Sequence, residues 1–147
     1  MRRLVFTGVA LAVGFVTTAA FAVDDPILTR QKLMQANGGA AGAASAMIKG
    51  EIPFSVAVAQ SALRNFNAVA YSFGDYFPEG SDQGDTRASP KIWEEMAEFQ
   101  QYLADFQADT DAAREADPQD VEALKTAMAE IGQNCQQCHE EFRLEEN

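Results

Sequence analysis

Two cysteines and the single histidine of the chain fall within five residues, Cys135-Gln136-Gln137-Cys138-His139. Thiol, thiol and imidazole at this spacing form the Cys-x-x-Cys-His signature of covalent haem attachment. The two thiols add across the vinyl groups of the macrocycle, and the adjacent imidazole reaches the iron. A helix suits the arrangement. At about 100° per residue, Cys138 lies roughly 300° round from Cys135 and His139 about 40° past a full turn, so all three project from one face. Rival chemistries fit less well. A zinc site wants four ligands, and the chain has no further Cys or His to complete the three. A redox dithiol belongs in a βαβ context, and no stretch here alternates apolar and polar residues over a strand length. A plain disulfide would leave His139 without a role. No nucleophile–base pair stands out, so the expected protein holds one haem c with its iron and has no catalytic residues.

The elements that must position this cluster read as four helical blocks. The first opens at Asp25-Pro26, a cap followed by proline at the first helical position. Ile27, Met34, Ala41 and Ile48 repeat along it every seven residues, and Gly50 ends it. Gly38, Gly39 and Gly42 in its interior weaken a helix by roughly 1 kcal/mol each relative to Ala. They imply close approach of something bulky or of a neighbouring helix. The second block follows Pro53 and runs to about Phe73, with Val56, Ala59, Leu63, Phe66 and Ala70 as its apolar stripe. A loop rich in Gly, Asp and Ser covers 74–88. The third block opens at Ser89-Pro90 and carries Ile92, Met96, Phe99, Leu103 and Phe106 at helical spacing. The fourth opens at Asp117-Pro118, with Val121, Leu124, Met128, Ile131, Cys135, Cys138 and Phe142 as its stripe, and ends near Arg143. Four helices with short connections predict an all-α, antiparallel up-down-up-down four-helix bundle, with the haem bound near its C-terminal end.

Composition narrows the partners. The 147 residues include 22 Asp+Glu against 11 Lys+Arg, for a formal charge of −11. Nucleic acid is excluded as a partner, because phosphate binding needs a basic face. With 47% hydrophobic residues, intrinsic disorder is excluded too. Met1-Arg2-Arg3, the uncharged run Leu4 to Ala22 and its Ala20-Phe21-Ala22 ending follow the layout of a cleaved secretory signal peptide. The expected organisation is therefore a leader over 1–22 and one haem domain over 23–147. The expected compartment is a bacterial periplasm, without an integral membrane segment after cleavage. An acidic surface can steer the protein to basic patches on redox partner proteins.

Placement of the motif on the last helix of such a bundle resembles the class II c-type cytochromes, the cytochrome c′ family. Cys135 to Arg143, reading Cys-Gln-Gln-Cys-His-Glu-Glu-Phe-Arg, looks like the family's C-terminal signature. Arg30-Gln31-Lys32-Leu33-Met34, then Ala36-Asn37-Gly38, and Ser89-Pro90-Lys91-Ile92-Trp93 look like the low-spin branch named cytochrome c-556. The resemblance implies His139 as proximal iron ligand and Met34 as distal ligand, with Arg30 near a haem propionate. It implies a single-electron carrier that is a monomer or a homodimer. The alternative within the family is a high-spin protein with an open distal site that binds NO or CO. Bundle geometry admits Met34 and also Met96, each a similar distance into an antiparallel helix. Met47 lies about 20 Å beyond Met34 at 1.5 Å per residue. Met128 shares a helix with His139.

Overall fold

The structure, a computed structural model, describes residues 25–145. The leader expected over 1–22 lies outside them. The described residues form α1 (Pro26–Ile48), α2 (Val56–Ser72), a 3-10 turn (Phe73–Tyr76), α3 (Lys91–Glu94), α4 (Met96–Glu115) and α5 (Val121–Phe142). They contain no helix long and apolar enough to cross a membrane.

The start of α1 follows its sequence signals. Asp25 is extended and accepts the Leu28 N–H at 2.9 Å, and Pro26 stands at the first helical position. Gly50 ends the helix at φ 71°. Its N–H reaches the Met47 carbonyl at 3.1 Å, while Glu51 N–H reaches Ala46 at 2.9 Å. This is a Schellman turn, which needs the left-handed conformation that glycine supplies without a Cβ penalty.

Two helix boundaries differ from the sequence expectation. The third block is broken at Glu95, whose φ of −123° and ψ of 44° leave the helical region. Residues before the break are held to the end of α5: Ser89 N–H donates to the Phe142 carbonyl at 2.9 Å, and Lys91 pairs with Glu141. Residues after it follow the bundle axis and pack on α2 and α5. One straight helix does not meet both demands. The fourth block begins three residues later than Asp117-Pro118 suggests. Asp117 adopts φ 42° beyond the end of α4, with its N–H on the Arg114 carbonyl at 3.2 Å. Pro118 follows, buried, as a stop for α4. The true cap of α5 is Asp120, whose carboxylate accepts the Ala123 N–H at 2.8 Å.

α1 packs on α2 and α5, and α4 packs on the same two, which makes an antiparallel four-helix bundle with α3 as a short appendix. Its core falls into three tiers. Ala44, Met47, Ala59 and Leu124 fill one end, and Leu63, Phe66, Phe106 and Ile131 fill the middle. Phe73, Phe77, Ile92, Phe99 and Phe142 fill the end where the Cys-x-x-Cys-His segment lies. A Cβ added at Gly38, Gly39 or Gly42 would meet nothing within 4 Å. Pressure from a neighbouring helix is therefore not why α1 carries glycine. Gly38 instead borders the cavity that the Cys-x-x-Cys-His segment lines.

Candidate functional site

α5 delivers the motif as the spacing requires. Cys135, Cys138 and His139 are half-buried and line one cavity, while Gln136 and Gln137 face solvent. The cavity holds about 640 Å³, within the range of roughly 300–1,000 Å³ that small-molecule and cofactor sites occupy. Its walls come from every major element. α1 contributes Met34, Phe66 projects from α2, Phe99 and Leu103 come from α4, and Phe142 closes the α5 side. Edge-to-face contacts lock the aromatic wall. The Phe77 and Phe99 rings lie 4.6 Å apart, and Phe99 and Phe142 lie 5.4 Å apart.

The electrostatics suit a covalently held cofactor better than a redox dithiol. Burial raises the Cys135 thiol, and burial together with the neighbouring Cys135 pushes Cys138 up to about 11. A reactive dithiol works through a lowered thiolate. Burial lowers His139, and the guanidinium charges of Arg143 and Arg87 lower it further. The imidazole is thus held in its neutral, ligand-competent form. Both thiols, the imidazole and a thioether share one largely apolar cavity, so the donors present fit a haem.

The methionines separate cleanly. Met34 borders the cavity; Met47, Met96 and Met128 do not. Met47 is buried in the opposite tier, where its sulfur accepts the Ser55 N–H at 3.4 Å. Met96 packs against the aromatic tier without lining the cavity, and Met128 packs against the middle tier.

Arg30 borders the cavity, but its hydrogen bonds run to the loop. The residue is 4% exposed. Nη1 donates to the Tyr76 carbonyl at 3.0 Å and to Ser81 Oγ at 2.9 Å. Nη2 donates to the Ser81 carbonyl at 2.7 Å and to Thr86 Oγ1 at 3.2 Å. The guanidinium carbon lies 4.6 Å from the Phe77 ring centroid and 5.6 Å from that of Trp93. Arg30 therefore fastens the 76–86 wall to α1. Sequence reasoning also passed over Asn134, buried on the cavity wall one residue before the motif, and the cavity-facing Arg87. Only the helical offset of Asn134 from Ile131 marked it as inward-facing.

Comparison with known proteins agrees with this geometry. A family model described as Cytochrome C′ matches residues 25–143. The chain is 38% identical over 143 residues to a cytochrome c-556 of Rhodopseudomonas palustris, covering 94% of this chain and 95% of that one. It is 34% identical over 135 residues to a cytochrome c-556 of Agrobacterium fabrum, covering 92% of each. The solved cytochrome c′ of Rhodopseudomonas palustris superposes with a TM-score of 0.78 at 34% identity, covering 84% of this chain and 98% of that one. A four-helix bundle, a Cys-x-x-Cys-His segment facing an apolar cavity and matches over most of the length lead to one family: the chain belongs to the cytochrome c′ family of c-type cytochromes and carries covalently bound haem c.

Proposed function

We propose that the protein is a periplasmic monohaem electron carrier whose iron is low spin, held by His139 from α5 and Met34 from α1. The observation that carries this reading is the position of Met34. It shares the cavity with Cys135, Cys138 and His139, and the other described methionines do not. The bound haem supplies a one-electron ferric/ferrous couple. The chain's own residues set how that couple behaves. Cys135 and Cys138 are the thioether attachment points. Met34 offers a soft neutral sulfur, which raises the reduction potential relative to a second imidazole. The aromatic wall excludes water, which disfavours the more highly charged ferric form. With His139 and Met34 both holding the iron, little would have to move on one-electron transfer. A protein that works this way needs no substrate-binding group and catalyses nothing. Arg30 acts through the wall it holds, and a propionate contact would be shared with those four hydrogen bonds.

The acidic surface supports a redox partner that docks through a basic patch, and that attraction weakens as salt is added. The export reading rests on the leader-like segment 1–22. The structural likeness to a cytochrome c′ favours one second reading, an open distal site that takes NO or CO.

Absorption spectra of the ferrous protein with and without CO decide between the two readings. Low-spin His/Met ligation predicts a sharp, split α band and slow CO uptake. Met34→Ala then converts the iron to high spin or opens it to CO, and Met96→Ala leaves the spectrum unchanged. Rapid CO uptake by the unmodified protein establishes the open-site reading. Conversion by Met96→Ala alone overturns the ligand assignment.

A further inference from the structure

With Arg30 holding the wall, the other arginines among the described residues that border the cavity are Arg87 and Arg143. One piece of backbone holds both. Residues 87–89 run antiparallel to 142–144 through a bridge between Ala88 and Arg143. Ser89 N–H donates to the Phe142 carbonyl at 2.9 Å, and Leu144 N–H donates to the Arg87 carbonyl at 2.8 Å. Arg87 closes the ribbon with its own side chain: Nε and Nη2 donate to the Leu144 carbonyl at 3.1 and 2.9 Å. Arg143 N–H donates to the His139 carbonyl at 3.2 Å, so the ribbon runs straight on from the proposed iron ligand. A guanidinium stays charged throughout the working pH range, and its rigid fork holds direction as well as charge. The ribbon thus carries fixed positive charge along the His139 side of the cavity.

We propose that Arg87 is a potential-setting residue, held in this ribbon so that its charge favours the ferrous over the ferric state. The step it biases is the passage of one electron from a reduced partner to ferric iron. Ferrous iron and the oxidised partner result, with no proton transferred and no bond made or broken. The site loses one positive charge in that step, and a neighbouring cation favours the loss. The proposal rests on His139 as the iron ligand and is independent of whether Met34 is bound.

The test uses the haem-loaded protein and its Arg87→Gln, Arg87→Met and Arg87→Lys variants, titrated spectroelectrochemically at low and high salt. Loss of the charge in the Gln and Met variants should lower the potential. At fixed ambient potential the ferrous-to-ferric ratio is expected to fall roughly three- to tenfold, a tenfold change being about 59 mV for a one-electron couple. Arg87→Lys should retain most of the unmodified value. The gap should narrow as salt rises, because Arg87 is exposed and exposed charges are screened. Equal potentials in the unmodified, Gln and Met proteins overturn the proposal. A full-sized loss in Arg87→Lys, or a gap indifferent to salt, also overturns it, because ribbon geometry would then be the cause. The α band of the same samples reports Met34 ligation separately. A high-spin spectrum in the unmodified protein would defeat the low-spin assignment and leave the Arg87 measurement standing.

Discussion

Arg30 shows how much a single side chain can do for the wall of a site, through four hydrogen bonds and an aromatic face. Burial costs the guanidinium its hydration and lowers its pKa. Four oxygen acceptors and the Phe77 face offset that loss. Arg30→Ala would strand those acceptors, and it should cost about 2–4 kcal/mol, the range for a broken buried charged network. A fall in urea midpoint with an unchanged slope is the expected signature. That the motif residues converge on one cavity is legible in the sequence, because Cys135, Cys138 and His139 share a helix face through local spacing. The partners of Arg30 are not, since they lie 46 to 56 residues away along the chain. No periodicity encodes contacts at that range. Met34 lies between these cases. Helix rise puts both it and Met96 at a plausible depth, and only the packed structure shows which one borders the cavity.

At the scale of elements, the two Asp-Pro pairs look alike in sequence and do different work. Asp25-Pro26 begins a helix, whereas Asp117-Pro118 finishes one. The residues downstream of the second pair make the difference. Asp120 offers a second capping carboxylate, and burial of Pro118 fixes the turn before it. Asp120→Ala should therefore destabilise the protein by about 1 kcal/mol, shifting the thermal midpoint down by roughly 4 °C for a domain of this size. Asp117→Gly should cost less than Asp117→Ala, because glycine adopts φ 42° freely. The Asp117 hydrogen bond from Gln60 at 2.6 Å is lost in both, so the comparison isolates the backbone term. The break at Glu95 has no counterpart in the pattern of the third block. Ile92 and Phe99 keep helical spacing across it, and the ties that impose it come from α5.

For the whole molecule, the cavity of about 640 Å³ is lined by side chains that need something to pack against. A chain that cannot attach haem loses those contacts outright. The double variant Cys135→Ser/Cys138→Ser should keep most of its far-ultraviolet helix signal. It should lose near-ultraviolet structure and bind a hydrophobic dye, as a loosened core does. Retention of a sharp near-ultraviolet spectrum would show that the bundle closes over the cavity by itself.

The short ribbon between 87–89 and 142–144 has a consequence for motion. It joins the end of α5, which carries the Cys-x-x-Cys-His motif, to a wall segment more than fifty positions away, so loading one should quieten the other. Amide hydrogen exchange can watch this directly. In the haem-bound protein, the Ser89 and Leu144 amides, each bonded across the ribbon, should exchange at rates typical of helix interiors. In the unloaded variant they should exchange as fast as frayed ends. The wall segment and the end of α5 would then open together as one unit.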